Sequence, residues 1–391
     1  MKNYSKKIVS FGVYGALSVM MIGCAAEKSF TSTLPSTYLS LGVYVTELVD
    51  GSYVTVGVEQ DTETASEDVL IAFLDESGVV SSTFSVGGSD ADNGWAVVER
   101  DDDVVIAGFT ESYGEGDFDC YLLSTNQSGT INWEKTFGSA QRERCWAVVS
   151  TASGLAVVGE TQFNASGEDD CYLVLTDTNG IEKRTRSFGG ESGDRCFGVA
   201  ATADGGLLMV GQTYSFGSGD RDMFLIKTDS TGEEEWNRTW GGAASDIAHS
   251  ISPTHDGGFF VTGYTASFAS GVDNPVVLRL DSEGNELWSR VIEMEKPART
   301  ITGVQTRGGG YMLTGYSDND STLARNTLVI TLSETGEVRQ INKFLPVSSA
   351  ASSLGYTVQP TSDGGGIITG HFTTQAGRNQ LYVTKLARGS E

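Results

Sequence analysis

Short segments rich in Gly and Asp carry most of the side chains that could bind a ligand. They are GSDADN (88–93), GEGDFD (114–119), SGEDD (166–170), SGDR (192–195), SGDRD (218–222) and SGVDN (270–274). Carboxylates interspersed with arginines can bind a cation, a basic partner or a sugar, whereas Asp and Gly also serve simply to form turns. Both interpretations stand on the sequence alone. None of the segments has the ligand spacing of a calcium loop, so no metal site is predicted.

Aromatic and basic residues accompany these segments and complete a candidate binding face. Its members are Asp92, Trp95, Asp117, Asp119, Arg144, Trp146, Asp169, Asp170, Asp194, Arg195, Asp220, Asp222 and His249. The chain contains no nucleophile elbow, no HExxH motif and no P-loop, and it has only three His. The sequence therefore predicts no catalytic residue and no cofactor, and it favours a protein that is not an enzyme.

A repeat of about 52 residues positions these side chains. A short apolar run ending in Gly occurs seven times, at Gly57, Gly108, Gly159, Gly211, Gly263, Gly315 and Gly370. Each repeat contains four strand-like segments joined by Gly-bearing turns such as ADGG and DSTGE, and no segment after residue 23 has a helical period. Seven such units predict an all-β fold, a seven-bladed β-propeller of four-stranded antiparallel blades.

The last repeat supplies only three strands before the chain ends at Glu391. A counterpart of the missing strand occurs near the other end, where EKSFTS (27–32) parallels WEKTFGS (133–139). We therefore expect residues 27–32 to complete blade 7 beside Gln380–Leu386 and to close the ring, which removes an open edge strand. Residues 24–391 would then form one propeller domain.

The repeats resemble bacterial families of β-propeller repeats with the signature FGG…DGG…G-x-T…D-x-x-G…W. The resemblance spans roughly residues 27–387 and is strongest from Phe84 to Trp288. The segments DSTGEEEW and DSEGNELW also look like the repeats of quinone-cofactor dehydrogenases, but the adjacent Cys pair of those enzymes is missing here. A quinone-dependent dehydrogenase is accordingly the least favoured function.

The loops that precede the first and third strands of each blade share one face of a propeller, so the Asp-rich segments would converge there. Equivalent positions near the start of the first strand hold Val43, Trp95, Trp146, Phe197, His249, Ile301 and Tyr356. Such residues either line the central channel and stack on a ligand, or pack one blade against the next. Packing is the commoner role, and it is the one expected here.

Four cysteines occur in two equivalent pairs. The steps from Cys120 to Cys145 and from Cys171 to Cys196 are both 25 residues, and the sequence contexts match. An even number of cysteines at repeat-equivalent positions indicates disulfides in an exported chain. We predict the pairs Cys120–Cys145 and Cys171–Cys196, because joining Cys145 to Cys171 would bridge non-adjacent strands of one blade. A metal site is the alternative, but the spacings match no zinc pattern.

Residues 1–23 have the pattern of a secretory signal. Three lysines precede an apolar stretch from Ile8 to Ile22, which is short for a membrane-spanning helix. The stretch ends in MIGC, which resembles the lipobox of bacterial lipoproteins and implies lipid modification of Cys24. Ala25 follows, and by the sorting rule of Gram-negative lipoproteins a residue other than Asp implies the outer membrane. An ordinary signal peptide with an incidental Cys is the alternative.

Acidic residues outnumber basic ones by 51 to 26, which gives a formal net charge of −25. Such a field repels phosphate backbones and anionic headgroups, so we expect no nucleic-acid partner and membrane association through the lipid anchor only. The sequence favours a monomeric, lipid-anchored scaffold that binds an envelope protein. The alternative is a carbohydrate-binding or carbohydrate-active propeller, which a deep pocket with two acids and an aromatic ring would favour over a flat face.

Overall fold

A computed structural model shows seven four-stranded antiparallel sheets that form the blades of a β-propeller. The structure describes residues 9–10, 29–34, 39–60, 66–162, 168–269, 271–319 and 324–387. These residues contain no α-helix, and hence no helix long and apolar enough to cross a membrane. The predicted fold class is confirmed.

Each blade runs outward from the central channel. The innermost strands are Leu39–Glu47, Asp92–Arg100, Glu143–Thr151, Asp194–Ala201, Asp246–Pro253, Ala298–Gln305 and Ala350–Pro360. The second strands are Tyr53–Gln60, Asp103–Thr110, Gly154–Thr161, Leu207–Thr213, Phe259–Thr265, Tyr311–Asp318 and Gly366–Thr374. The third strands are Glu67–Leu74, Asp119–Asn126, Asp170–Thr176, Asp222–Thr228, Asn274–Leu280, Arg325–Leu332 and Asn379–Leu386. The outermost strands are Val80–Val86, Ile131–Phe137, Glu182–Phe188, Glu234–Trp240, Glu286–Val291, Val338–Phe344 and, in blade 7, Phe30–Leu34.

An N-terminal strand closes the ring. Phe30–Leu34 pairs antiparallel with Asn379–Leu386, and Phe30 lies opposite Lys385. The predicted closure is thereby confirmed, although the strand lies slightly later in the chain than the predicted residues 27–32. Blade 7 is therefore built from both ends of the chain, so that the ring has no open edge at this point.

A two-residue segment precedes this closing strand. Val9–Ser10 pairs antiparallel with the outermost strand of blade 1, with Val9 opposite Ser85. The segment falls within the predicted signal sequence. The rest of that sequence and the predicted lipidation residue, Cys24, lie outside the described residues.

The core lies between neighbouring blades. The second and third strands of blade 4, Leu207–Thr213 and Asp222–Thr228, are buried along their whole length, whereas the outermost strand, Glu234–Trp240, is largely exposed. Adjacent blades cover both faces of the middle strands. Neither face of these strands is therefore exposed to water, and apolar residues can occupy successive positions. This is why these strands read as continuous apolar runs rather than as alternating patterns.

Every innermost strand has a β-bulge opposite the glycine that ends the apolar run of its repeat. In blade 2, Gly94 pairs with Gly108, and the pairing then skips Trp95. A Cβ on Gly108 would overlap the carbonyl oxygen of Asn93. The equivalent overlap would occur at Gly57, Gly159, Gly211, Gly263, Gly315 and Gly370. The sevenfold glycine repeat therefore follows from seven bulges, since only a residue without Cβ lets the bulged strand come this close.

Buried cations fix the Asp-Gly turns between the first and second strands. Lys227, buried in the third strand of blade 4, places its Nζ 2.9 Å from Asp204 of the ADGG turn and 2.8 Å from Glu235. The pairs that repeat this arrangement in blades 5 and 7 are Arg279–Asp256 and Lys385–Asp363. The turn aspartates thus supply counter-charge to cations that are buried in the third strands.

Both predicted disulfides are present. Cys120, in the third strand of blade 2, is bonded to Cys145 in the innermost strand of blade 3, and the two Cα atoms are 5.0 Å apart. Cys171 and Cys196 join blades 3 and 4 in the same way, with Cα atoms 4.9 Å apart. Two successive blade interfaces are therefore covalently linked.

We expect Gly108→Ala to destabilise the protein by about 1–3 kcal/mol, because the added methyl group must displace the Asn93 carbonyl and disturb the bulge. The matched control is Gly193→Ala, where the nearest atoms to the new methyl group would be 3.9 Å away. Urea unfolding followed by circular dichroism measures both variants. Equal unfolding midpoints for the two would contradict the role assigned to the repeat glycine.

Candidate ligand-binding site

The central channel contains a cavity of about 570 Å³. The seven bulge residues all line it, and they are Val43, Trp95, Trp146, Phe197, His249, Ile301 and Tyr356. A bulge redirects a side chain because two residues oppose a single residue on the partner strand. The sequence analysis expected these positions to pack between blades, and the structure instead places them on the channel wall.

Aromatic rings form a continuous row on one side of this wall. The ring centroids of Trp95 and Trp146 are 4.7 Å apart, those of Trp146 and Phe197 are 6.5 Å apart, and those of Phe197 and His249 are 5.5 Å apart. The row runs from blade 2 to blade 5. It presents ring faces and edges on which a cyclic ligand can stack.

Arginines line the same cavity at equivalent positions, two residues before a bulge residue. They are Arg144 before Trp146, Arg195 before Phe197 and Arg299 before Ile301. A fourth, Arg325, comes from the third strand of blade 6. Among the described residues that line the cavity, Glu160 is the only carboxylate. The wall is therefore positively charged although the whole chain is strongly acidic.

Two buried carboxylates hold the arginines of blades 3 and 4. Arg195 Nε lies 3.0 Å from Glu160 Oε2 and the same guanidinium also contacts Asp169, while Arg142 Nη2 lies 2.7 Å from Asp169 Oδ1. Burial raises the pKa of Glu160 against the opposing effect of Arg195. Burial also disfavours the charged form of Asp169, but hydrogen bonds from Arg195 and Arg142 outweigh it and hold the pKa of Asp169 below its usual value.

Six members of the predicted binding face belong to this site. Five line the cavity, and they are Trp95, Arg144, Trp146, Arg195 and His249. Asp169 contacts the site through Arg195 and Arg142. The aromatic and basic members of the predicted face are thus brought together at the channel.

Most of the predicted acidic residues instead hold loops in place. Asp92 is fully buried and accepts hydrogen bonds from the Gly88 amide and from the hydroxyls of Thr110 and Ser112. Asp194 accepts the equivalent hydrogen bonds from the Gly190 amide and the Ser215 hydroxyl. These carboxylates tie the loop before the innermost strand to the end of the second strand, which is the turn-forming role that the sequence left open.

The remaining acidic members lie before the third strands. Asp119 and Asp222 are buried and accept hydrogen bonds from backbone amides of the loops before them, such as Gly116 N to Asp119. Asp170 is also buried. Asp117 and Asp220 are exposed, and Asp220 accepts a hydrogen bond from the Ser245 hydroxyl. None of these five carboxylates lines the cavity.

Sequence reasoning missed further residues of the cavity wall, among them the four polar or charged residues Glu160, Arg299, Tyr316 and Arg325. Three of these four occupy positions in the repeat from which a place on the cavity wall could have been predicted. Arg299 occupies the position of Arg144 and Arg195, while Glu160 and Tyr316 directly follow a repeat glycine and lie opposite Arg144 and Arg299. Arg325 has no such signal, because it reaches the channel from a third strand.

His249 lies in the aromatic row and faces cationic neighbours. Its ring centroid is 5.6 Å from that of Tyr264, and Arg299 stacks on the same tyrosine with its Cζ 4.3 Å from the ring centroid. Burial, together with the charges of Arg299 and Arg221, lowers the pKa of His249 to about 4. The imidazole is therefore neutral at physiological pH and acts as a ring rather than as a charge.

Comparisons with known proteins support the fold only. No protein-family model and no curated protein matches the chain. A puromycin hydrolase structure aligns with a TM-score of 0.57 at 11% identity, covering 88% of this chain and 51% of that one. An acylaminoacyl peptidase from Pyrococcus horikoshii aligns with a TM-score of 0.51 at 10% identity, covering 90% and 52%. The chain thus spans about half the length of these structures, and at these identities the likeness shows the fold alone.

We expect the protein to lose stability as the pH falls from about 6.5 towards 4, partly because of His249. In this window the unfolded imidazole binds a proton that the folded one does not, so protonation favours the unfolded state. The variant His249→Gln should lose less stability than the wild type over the same range. Urea unfolding of both proteins at pH 7 and pH 4.5 measures the difference, and identical losses would refute the assignment.

Proposed function

We propose that this protein is an exported, lipid-anchored propeller that binds a saccharide in its central cavity without converting it. The observation that carries the proposal is the set of bulge residues on the channel wall, five of which have rings: Trp95, Trp146, Phe197, His249 and Tyr356. A deep pocket with two acids and an aromatic ring was the feature expected to favour carbohydrate binding over a flat interaction face. The cavity supplies the pocket and the rings, but Glu160 is the one carboxylate among the described residues that line it, so the support comes from the rings rather than from a pair of acids.

A saccharide matches this wall better than an apolar ligand does. Sugar rings have apolar faces that stack on aromatic side chains, and hydroxyl groups that bond to fixed polar groups. Arg195 is such a group, because Glu160 and Asp169 hold its guanidinium in place. The volume of about 570 Å³ lies within the range of small-molecule sites.

We propose binding rather than hydrolysis. Most glycosidases place two carboxyl groups on either side of the scissile bond, one of them a proton donor. Glu160 has a raised pKa, but Arg195, Arg142 and Arg144 lie 3.0, 3.9 and 4.0 Å from its oxygens, and its side chain is 2% exposed. Its carboxyl group therefore lies behind the guanidinium groups rather than against a ligand.

Binding of an envelope protein is the second candidate function. The observation that favours it is a set of large apolar side chains exposed in the loops on the face where the third strands begin: Tyr214, Phe216 and Phe268. Exposed aromatic residues of this kind are enriched at protein interfaces. The two functions are compatible, because these loops lie in blades 4 and 5 outside the cavity lining.

The closing strand determines how far the propeller can be from a membrane. A chain anchored at Cys24 reaches Phe30 in six residues, a span of at most about 20 Å. The proposal therefore places blade 7 close to the outer membrane of a Gram-negative envelope, with the protein as a monomer. Disulfides are consistent with an oxidising, exported compartment.

We expect the purified protein to bind at least one oligosaccharide of a glycan array. Trp146→Ala should weaken that binding about tenfold or more, since a Trp that stacks on a ligand contributes over about 1 kcal/mol. The matched control is Trp236→Ala. Trp236 lies on the outermost strand of blade 4, away from the cavity, and its ring packs over Gly284. Titration calorimetry at a temperature where all three proteins are folded gives the affinities. No binding to any glycan, or equal losses in the two variants, would refute the proposal.

The anchor is tested separately. The full chain, expressed with its own leader in a Gram-negative host, should carry acyl groups on Cys24 and fractionate with the outer membrane. Cys24→Ser should remove the acyl mass and release the protein from the membrane fraction. Mass spectrometry of the N-terminal peptide measures this, and an unmodified Cys24 in the mature wild type would exclude the anchor while leaving the binding proposal intact.

A further inference from the structure

We infer that the saccharide bound by this cavity carries a carboxylate, and that Arg144 is the residue that recognises it. This inference rests on the proposed function and goes beyond it by naming the chemical class of the ligand. The observations behind it are the difference between Arg144 and the other arginines of the wall, the indole N–H groups of two tryptophans in the same lining, which have no acceptor among the described residues, and the charge of that lining.

Arg144 differs from its neighbours in having no close carboxylate. Arg195 and Arg142 have carboxylate oxygens at 3.0 Å or less, and Arg299 has Asp273 at 2.6 Å. The nearest carboxylate oxygen recorded for Arg144 is on Glu160, 4.0 Å from its Nη1. A partly buried guanidinium without a close counter-charge is unfavourable, and an anionic ligand group would remove that cost.

Aromatic rings hold the Arg144 guanidinium at the cavity. Its Cζ lies 4.1 Å from the ring centroid of Phe118 and 5.1 Å from that of Phe109. These cation–π contacts fix the plane of the group but leave N–H donors available, because a ring face does not accept hydrogen bonds as an oxygen does. Burial lowers the pKa of Arg144, which is consistent with a cation that is poorly solvated on its own.

Two tryptophans of the cavity wall share a neighbour with this cation. Phe109 contacts Trp95 and Trp146, with ring centroids 6.4 and 5.5 Å apart, as well as Arg144. The Nε1 atoms of both tryptophans are buried, and neither has an acceptor among the described residues. The Nε atom of Arg144 is also buried and has no acceptor among the described residues. Buried donors without an acceptor are rare in folded proteins, and all three of these belong to side chains that line the cavity.

The charge of the lining favours an acid over a neutral sugar. Four arginines and a single carboxylate, Glu160, line the cavity among the described residues. Asp169, Asp273 and Asp318 pair with Arg195, Arg299 and Arg325, so Arg144 is the lining arginine whose charge is least compensated. A low-dielectric cleft strengthens the field of such a charge, so the cavity attracts an anion locally even though the chain as a whole carries a net charge of −25. A uronate sugar combines the ring that stacks on the tryptophans with the carboxylate that pairs with Arg144.

The test compares acidic saccharides with their uncharged esters on the wild-type protein. The probes are trigalacturonate and trimannuronate, each beside its fully methyl-esterified form, which keeps the rings and hydroxyl groups and removes the charge. We expect at least one acid to bind about tenfold or more tightly than its ester, as charge-assisted pairs are the stronger hydrogen bonds. Equal binding of acid and ester, tighter binding of the ester, or no binding of either acid would overturn the inference.

Variants then assign the preference to Arg144. In Arg144→Gln the ratio of the acid affinity to the ester affinity should fall to about one, whatever the absolute affinity of the ester. Arg290→Gln makes the same charge change on an exposed outermost strand and should leave the preference intact. An acid preference that survives in Arg144→Gln would overturn the assignment to this residue.

The saccharide proposal and the acidic ligand class are contradicted by different outcomes. If neutral glycans bind in the cavity with a loss in Trp146→Ala but no acid is preferred, the saccharide proposal stands and the acidic ligand class is wrong. If no glycan of any kind binds, both are wrong. Because the acid and ester comparison uses the unaltered protein, poor folding of a variant does not affect it.

Discussion

A close approach between one carbonyl oxygen and one glycine in every blade is the constraint on which the cavity depends. In blade 2 the Asn93 carbonyl occupies the space that a Cβ on Gly108 would take, and Trp95 is the extra residue of the bulge that results. Without the bulge, successive side chains of the strand would alternate between the two faces of the sheet. Trp95 would then point towards a neighbouring blade instead of into the channel. The repeat glycine is therefore a backbone requirement whose consequence is a side chain directed into the channel.

The disulfides act on the same segment of backbone. Cys145 lies between Arg144 and Trp146, and Cys196 between Arg195 and Phe197. A residue between two channel-facing residues points towards the neighbouring blade, so a cysteine there can bond to the third strand of that blade, as Cys145 does with Cys120. The bond fixes the strand at the position where the guanidinium and the aromatic ring are attached. Binding groups held by rigid elements lose less freedom when a ligand arrives.

Features that repeat along the chain were predictable, and features that depend on contacts across blades were not. The spacing from Gly57 to Gly370 predicted seven blades, and matched contexts predicted both disulfides. The role of Asp92 stayed open because a carboxylate in a Gly-rich loop looks the same whether it binds a ligand or caps the amide of Gly88. Likewise, an aromatic residue in a strand gives no sign in the sequence that a bulge turns it towards the channel.

The seven blades are equivalent in backbone, so the function of the cavity must lie in how they differ at equivalent positions. Two residues before the bulge, blades 3, 4 and 6 have Arg, whereas blades 1, 5 and 7 have Leu, Ile and Leu. At the bulge itself, blades 2 to 5 and blade 7 have rings, while blades 1 and 6 have Val43 and Ile301. A channel with the same residue in all seven blades would bind a ligand equally well in seven orientations. In this channel the rings and the arginines differ from blade to blade, so a ligand that is itself asymmetric binds in a defined orientation.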